Sequence, residues 1–242
     1  MIEHLFLFIA LALIAEIIGT VGGFGSSLFF IPIASYFLDF HSVLGITAVY
    51  HVMSNLTKIT LFRQGVDKKV IFWIGIPSVI FVIIGAYLSS YFQAKWLELF
   101  LAIFLIVLSI VLFVYSNIKL KPNFVNSFSG GILSGFLAGV IGTGGAIRGI
   151  VLASFDLSPS AFIATSSIID LSIDLSRSVV YFFNGFVHPH DLYLLPILAV
   201  VSIVGTFLGK KIVLKLSNDQ FKKGVLILVF ITGVVSITKN LF

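Results

Sequence analysis

Long apolar runs separated by short polar loops dominate the chain. Runs of about 18 residues or more are typical of membrane-spanning helices, and these runs lack the alternation of a membrane β-strand. The first half contains runs over 5–38, 43–62, 70–92 and 96–115, and the second half contains runs over 125–155, 160–183, 192–213 and 221–238. The pattern therefore predicts an all-α, polytopic membrane protein.

A glycine-rich stretch interrupts the first run of each half, at 19–25 and at 139–145. Glycine lowers helix stability and lets the backbone leave the helix. In a bilayer, unwound backbone is tolerated only where protein or a water-filled cavity covers it. We expect each stretch to break a membrane helix into arms too short to cross about 30 Å of hydrocarbon. Breaks at matching places in two halves indicate the binding site of a transporter.

The second half repeats the order of elements of the first half. A shift of 120 residues aligns glycines along the chain, pairing Gly19 with Gly139, Gly22 with Gly142, Gly25 with Gly145, Gly65 with Gly185 and Gly85 with Gly205. We predict two membrane repeats, residues 1–120 and residues 121–242.

The Lys and Arg residues change sides between the two halves. In the first half, the loop at 63–69 has three Lys or Arg residues. In the second half, the counterpart loop at 188–191 has none, whereas the next loop, 210–223, is rich in Lys. Under the positive-inside rule, the two repeats are then inverted in the membrane. Inversion needs an odd number of crossings in each half. We therefore expect each repeat to combine a broken or re-entrant first helix with three transmembrane helices.

Composition excludes several classes of protein. Hydrophobic residues make up 59% of the chain and charged residues only 10%, which is too few charges for a soluble domain. The chain has no cysteine, which excludes disulfide and thiol chemistry. The net charge of +5 lies mostly in short loops and fits membrane orientation better than nucleic-acid binding. No nucleotide-binding motif is present, and we expect neither a cofactor nor a metal.

Two predicted helices carry polar side chains on one face. Asp170, Asp174 and Arg177 are spaced four and three residues apart, and charged groups inside a span usually face a cavity and carry function. The alternative is a structural ion pair between Asp174 and Arg177. The matching helix of the first half carries a second such face, formed by His51, Ser54, Asn55 and Lys58. Its alternative is a buried core histidine, with Lys58 extending to the cytoplasmic interface.

Further candidates flank the two breaks. Arg148 follows the second break, where a positive charge beside a half-helix N-terminus suits an anion; the alternative is an arginine at the membrane interface. Ser26 and Ser27 hold the equivalent place in the first half. Glu16 precedes the first break and either pairs with a Lys or Arg or titrates. The loop at 188–191 offers three metal-ligand types without a fourth, so an interfacial loop is the favoured interpretation.

The sequence resembles the TauE/SafE family of anion transporters, also called the TSUP family, over nearly the whole chain. The resemblance rests on Gly19 through Ser27 with Pro32, on Ser134-Gly135, on Gly139 through Gly145, and on Ala164-Thr165-Ser166. It implies a transporter of sulfite or organosulfonates in a bacterial-type inner membrane. The sequence departs from the repeat after its second break, where it has Arg148 and no proline matching Pro32.

These observations predict a secondary transporter of a small sulfur-containing anion that works by alternating access. Its expected partners are the anion, the lipid bilayer and protons, with a homodimer left open and no nucleic acid. The predicted substrate-binding residues are Gly22, Gly23, Gly25, Ser26, Ser27, His51, Asn55, Gly142, Gly144, Gly145, Arg148 and Arg177. The predicted proton-coupling residues are Glu16, Asp170 and Asp174. The alternatives are an anion channel, an intramembrane enzyme using Asp170 and Asp174, and a non-transporting scaffold.

Overall fold

A computed structural model of the protein describes residues 4–23, 25–62, 65–114, 120–155 and 157–213. Within these residues the chain forms α-helices and short 3₁₀ turns, without a strand. The helices are α1 (Leu5–Gly22), α2 (Ser27–Ala34), α3 (Phe40–Leu61), α4 (Lys68–Ser89), α5 (Ala94–Val114), α6 (Phe124–Ile141), α7 (Gly145–Leu152), α8 (Pro159–Phe183) and α9 (Leu194–Val213). The predicted all-α fold is confirmed, and the run predicted over 221–238 lies outside the described residues.

Apolar helices form the outer surface of the protein. Within the described residues, five helices are long and apolar enough to cross a membrane: α1, α4, α5, α6 and α9. Large apolar side chains such as Phe6, Phe72 and Phe113 are exposed on this surface, as contact with lipid requires. Helices α3 and α8 have 22 and 25 residues and are also long enough to span, but they carry buried polar side chains. The chain is an integral, multi-pass membrane protein.

Both predicted helix breaks are present. The residue directly after α1 is Gly23, with φ of 66°, and the residue directly after α6 is Gly142, with φ of 80°. Both angles lie in the left-handed region, which glycine adopts without a steric penalty. The first break has left-handed residues at Gly23 and Gly25, whereas Gly22, which the alignment pairs with Gly142, is still part of α1.

The two arms of each broken segment differ in length, which corrects one expectation. Helices α1 and α6 have 18 residues each, or about 27 Å, close to the thickness of the hydrocarbon core. Helices α2 and α7 have 8 residues each. Only the second arm is too short to cross the membrane, because the first arm stays helical up to the left-handed glycine.

Each broken segment is a hairpin. In the first segment, the ring of Phe8 near the start of α1 lies 5.3 Å from the ring of Phe37, which follows α2. In the second segment, Gly130 of α6 packs so closely on Val151 of α7 that a Cβ on the glycine would overlap the valine side chain. In both cases the short second arm folds back along the first arm.

Helices α3 and α8 run antiparallel through the centre of the molecule. The backbone N–H of Asp67, just after α3, donates to Thr165 Oγ1 near the start of α8, at 3.1 Å. At the other end, Ser42 Oγ lies 2.5 Å from Nδ1 of His188, which follows α8. We call the first end, with residues 61–62 and 65–69, the basic end, and the second end, with residues 186–191, the histidine end.

Glycines at matching positions let the outer helices pack closely on the first arms of the hairpins. A Cβ on Gly85 of α4 would overlap the backbone oxygen of Phe136 in α6. A Cβ on Gly205 of α9 would lie 2.7 Å from Glu16 Cγ in α1. The α4–α6 contact therefore has a counterpart in the α9–α1 contact, and both bring a broken segment against the central pair α3 and α8.

Candidate functional site

The two breaks and the two polar helices converge on one central cavity. The predicted site residues that line it are Gly25, Ser26, Ser27, His51, Asn55, Gly142, Gly144, Gly145, Arg148, Asp170, Asp174 and Arg177. Lys58 and Ser54 line it too. The free space at its centre is about 20 Å³, which is room for about one water molecule.

Three predicted residues lie outside the lining of this cavity. Gly23 lines a smaller neighbouring cavity that shares Gly25 and Asp170 with the central one. Glu16 is completely buried behind the first break. Gly22 is the last residue of α1 and lines neither of these two cavities.

Three cations and three carboxylates form ion pairs around the cavity. Lys58 Nζ lies 2.9 Å from Glu16, Arg148 Nη2 lies 2.5 Å from Asp170, and Arg177 Nη2 lies 2.7 Å from Asp174. All three cations are buried. An isolated buried charge is very costly, so each pair compensates a desolvation penalty that neither partner could carry alone.

Glu16 connects the first break to two other helices, α3 and α9. Its carboxylate accepts hydrogen bonds from five hydroxyl groups, those of Thr20, Ser26, Tyr50, Ser54 and Thr206. The predicted pairing of Glu16 with a cation is observed, with Lys58. The alternative in which Lys58 extends to the cytoplasmic interface is wrong, because Lys58 is buried and donates to Ser54 Oγ at 2.6 Å.

His51 contacts the first break through Ser26. The hydroxyl of Ser26 donates to Glu16 Oε2 at 2.5 Å, and the same oxygen lies 3.0 Å from His51 Nε2. A hydroxyl has one proton, so Ser26 must accept from His51, which places a proton on Nε2 of the ring. Because Ser26 is the residue before α2, this chain of contacts positions the start of that helix.

Arg177 connects the second break to α8. Its Nε donates to Asp174 at 2.8 Å, and its Nη1 donates to the carbonyl oxygens of Gly142 at 2.7 Å and Ala138 at 3.3 Å. Those carbonyls belong to the last turn of α6, where cationic side chains stabilise the helix end. Asp174 also accepts from Asn55 Nδ2 at 2.7 Å. The predicted pair of Asp174 and Arg177 exists and ties α3, α6 and α8 together.

Asp170 pairs across the site with Arg148, although Arg177 shares its helix. Arg148 Nη2 donates to Asp170, and its Nε donates to Ser166 Oγ at 3.3 Å. The side chain of Asp170 is 17% exposed, compared with 5% for Asp174. The face predicted as one constellation is therefore divided between two ion pairs, and Arg148 lies inside the protein rather than at a membrane interface.

The equivalence predicted between Arg148 and the serines of the first break is wrong. Gly144 precedes α7 and Gly145 begins it, in the same way that Ser26 precedes α2 and Ser27 begins it. Arg148 is the fourth residue of its helix, so its counterpart in α2 is Phe30 and neither of the two serines. The serines still contact the second break, since Ser27 Oγ donates to Thr143 Oγ1 at 3.2 Å.

The two helices that begin at the cavity have no side-chain cap. Four other helices are capped by a side chain that accepts from their first backbone N–H groups: α3 by Asp39, α4 by Asp67, α6 by Asn123 and α8 by Ser158. No side chain among the described residues caps α2 or α7. The first N–H groups of a helix lack intrahelical partners and carry a partial positive charge, so both ends favour an anion.

Sequence reasoning missed several polar residues of this site. Thr20, Tyr50, Thr143 and Thr206 each donate to or accept from a predicted site residue. Single hydroxyl groups in apolar runs carry no distinctive pattern, so no signal could have found Thr206. Ser166 belongs to the Ala164-Thr165-Ser166 motif on which the family resemblance rests, and that motif was the available signal.

Comparison with known families agrees with this geometry. The family model described as sulfite exporter TauE/SafE matches residues 8–236. No curated protein and no solved structure matched the chain. Members of the TauE/SafE family are membrane transporters and not enzymes, so the aspartates of this site are not an intramembrane acid–base pair. On its broken helices, its buried ion pairs and this match over most of its length, the chain belongs to the sulfite exporter TauE/SafE family.

Proposed function

We propose that the protein is a secondary transporter of sulfite, a sulfonate or a related sulfur oxyanion, and that the central cavity is its binding site. The observation that carries the proposal is the meeting of two uncapped helix N-termini with Arg148 at one cavity. Sulfite and sulfonate groups are compact anions with three oxygen acceptors. Backbone N–H groups and a guanidinium supply donors of matching number and charge.

Arg148 is better placed than Arg177 to bind the anion. Both nitrogens at the end of the Arg177 side chain already donate, to Asp174 and to two backbone carbonyls. Among the described residues, Arg148 donates through Nε and Nη2, and no acceptor is bonded to its Nη1. Its partner Asp170 is also the more exposed of the two aspartates. We therefore assign direct anion contact to Arg148, and to Arg177 the positioning of the second break.

The cavity in this conformation is closed around the site. Its free space has room for about one water molecule, and a sulfur oxyanion is larger than water, so binding requires the hairpins to move apart. Ser27 and Thr143 join the two breaks directly, at 3.2 Å. In alternating access, this contact would open toward one side of the membrane at a time. The closed state, with its ion pairs formed, would lie between the two open states.

Inverted repeats explain how such a site could open to either side. The ends of the first hairpin lie at the histidine end, because Phe37 lines a surface pocket there together with His188. The second hairpin begins at the basic end, where the ring of Phe124 lies 5.6 Å from that of Trp73. The chain ends of the two hairpins thus lie at opposite ends of the molecule. Lys210 Nζ donates to Leu61 O, which adds its charge to the basic end and supports placing that end in the cytoplasm.

Anion binding is coupled to proton uptake in this proposal, because the three cations and three carboxylates of the site already balance. An arriving anion competes with Asp170 for Arg148, and its negative charge also acts on Asp174, which lines the same cavity. A carboxylate that loses part of its ion pair is easier to protonate. Protonation of Asp170 or Asp174 would restore neutrality, and by linkage a proton would favour anion binding in return. Glu16 and His51 are the remaining candidates for the proton site.

Uptake into proteoliposomes tests the proposed function. Purified protein would be reconstituted and given labelled sulfite, sulfoacetate or sulfate, with and without a pH gradient across the membrane. We expect saturable uptake of at least one of these anions that responds to the gradient. A matched preparation of Arg148→Gln should take up none. Uptake with ionic currents too large for alternating access would show an anion channel instead.

The coupling residue is tested by anion affinity measured against pH in detergent. We expect Asp170→Asn or Asp174→Asn to bind the anion but to lose the wild-type dependence of affinity on pH. If both variants keep the full dependence, the proton does not bind at either aspartate and the two ion pairs are structural.

Orientation is tested with single cysteines, since the chain has none of its own. Lys69→Cys reports the basic end and His190→Cys reports the histidine end. An impermeant thiol reagent added outside intact cells should label position 190 and leave position 69 unlabelled. Labelling of both positions from the same side would rule out the inverted arrangement.

A further inference from the structure

A second cluster of chemical groups lies at the histidine end, outside the central cavity. A surface pocket there is lined by the start of α3 and by the loop between α8 and α9. In that loop, His188, His190 and Asp191 each offer one ligand atom, and these atoms lie within 4.8 Å of one another. His190 Nε2 lies 3.4 Å from Asp191 Oδ2, and His188 Nδ1 lies 3.9 Å from the same oxygen.

One oxygen of the Asp191 carboxylate, Oδ2, points into this cluster and has no hydrogen bond from the part of the chain that the structure describes. Asp191 is 2% exposed, and among the described residues no donor is hydrogen-bonded to its Oδ2. A buried carboxylate oxygen without a donor is destabilising, because its hydrogen bonds to water are lost and no protein hydrogen bond replaces them. His41, which lines the same pocket, has a buried Nε2 that likewise has no bonded partner in the described part of the chain. These orphan atoms indicate a ligand that is itself a cation.

We propose that His188, His190 and Asp191 bind a first-row divalent transition cation of the zinc type. Two imidazoles and a carboxylate are ligands that such ions accept, and the absence of cysteine removes any softer competing site in the chain. Tetrahedral ligands at zinc stand about 3.4 Å apart, which matches the 3.4 Å between His190 Nε2 and Asp191 Oδ2. His188 Nδ1, at 3.9 Å from that oxygen, must move closer and exchange its contact with Ser42 Oγ for the ion. His190 has a side chain that is 76% exposed, so its ring is free to make the remaining adjustment.

The ion would lie at the histidine end, where the loop between α8 and α9 meets the start of α3. Ser42 of α3 contacts His188, and the ring of His41 stacks on that of Phe186 at 4.2 Å. Three protein ligands leave a fourth position of a tetrahedral ion open. His41 is the nearest candidate by its place in the pocket, and a water molecule is the other. A bound cation would fasten the loop between α8 and α9 to the start of α3.

The test is a Co²⁺ titration of the full-length protein in detergent, followed by its visible absorption. The affinity tag must be removed or free of histidine, because a histidine tag would bind the ion itself. We expect one equivalent to bind with the absorption of a low-symmetry Co²⁺ site, and Zn²⁺ to displace it. His190→Gln should weaken binding by about 100-fold or more, since a ligand is removed. His4→Gln is the matched control, because His4 is an exposed histidine at the start of α1.

Each outcome decides the proposal. Stoichiometric binding that is weakened by His190→Gln and unchanged by His4→Gln supports the site. Absence of saturable binding to the wild-type protein overturns it, and so does binding that His190→Gln leaves unchanged. Asp191→Asn adds a second check, because loss of the carboxylate should weaken binding while its near-identical shape keeps the loop packed.

Discussion

The two helix breaks meet at one cavity, but they hold their carboxylates in different ways. Glu16, behind the first break, is fully buried and accepts from five hydroxyl groups in addition to Lys58. Asp170, beside the second break, is 17% exposed and contacts Arg148 and Ser166. Glu16 would lose several hydrogen bonds if it moved, so movement is unfavourable. Asp170 has only two partners in the described part of the chain and can exchange one of them for another ligand at a smaller loss. We therefore propose that the first break has a structural role and that the second break exchanges ligands.

Adding a side chain at the second break should have the largest effect on transport. Gly144 lies so close to Ser134 that a Cβ would overlap the backbone oxygen of that residue, and a backbone atom cannot be moved cheaply. We expect Gly144→Leu to abolish transport while the protein still inserts into the membrane, measured as uptake per inserted protein. Gly75→Ala is the control, because Gly75 lies inside α4 and a Cβ there would meet side-chain atoms only at 3.8 Å or more, which is an ordinary contact distance. Normal uptake by Gly144→Leu would remove the second break from the site.

Removing the carboxylate of the first break should mainly reduce stability. Glu16→Gln leaves Lys58 buried without a counter-charge, and breaking a buried pair in this way costs about 3–5 kcal/mol. Thermal unfolding in detergent measures the loss. Glu16→Gln combined with Lys58→Met should recover much of it, because no unpaired charge remains. If Glu16→Gln unfolds like the wild type but loses the response of transport to pH, Glu16 is the coupling residue. The first break would then have the functional role that we propose for the second.

Removing the cation of the second break should mainly reduce transport. Arg148→Gln deletes charge-assisted hydrogen bonds to the anion worth about 3 kcal/mol, which corresponds to about 100-fold in affinity. Its effect on unfolding should be smaller than that of Glu16→Gln, because Asp170 is partly exposed and can be hydrated or protonated. Adding Asp170→Asn should restore stability without restoring transport. Equal losses of stability in Arg148→Gln and Glu16→Gln would contradict the distinction between the breaks.

The smallest effect on stability is expected at the capped N-terminus of α3. This helix end serves as the reference for the uncapped N-termini of α2 and α7. Asp39 accepts from the backbone N–H groups of His41 and Ser42 at the start of α3. Partial burial raises the pKa of Asp39, but these hydrogen bonds outweigh burial and leave it below its usual value. The stabilisation is therefore complete above the unfolded-state pKa of about 3.9 and disappears as pH falls through the lower folded-state value. Asp39→Ala should cost about 1 kcal/mol at neutral pH and nothing in strong acid, measured by thermal unfolding. An effect that persists unchanged in acid would mean that the loss comes from packing and not from the cap.

Most helices of the described region could be predicted from the sequence, because hydropathy and glycine act locally along the chain. The polar faces of α3 and α8 followed from residue spacing, since a helix places residues three and four apart on one side. The left-handed residue at Gly23 could not be located among several adjacent glycines, because each of them adopts that conformation equally well. The unequal arms were also missed, because an apolar run does not show where within a glycine-rich stretch the helix stops.

By itself, the sequence determined that this chain crosses a membrane, that two helices are broken, and that a small set of charged residues lies within the spans. Only the tertiary structure decided which charges pair. Spacing along α8 placed Asp170, Asp174 and Arg177 on one face, yet Asp170 pairs with Arg148 of α7. Glu16 pairs with Lys58 of α3. Thr206 contacts Glu16 from 190 residues away. Such pairs depend on how the two hairpins cross α3 and α8, and that crossing is set by close packing between distant helices, which no local pattern of residues records.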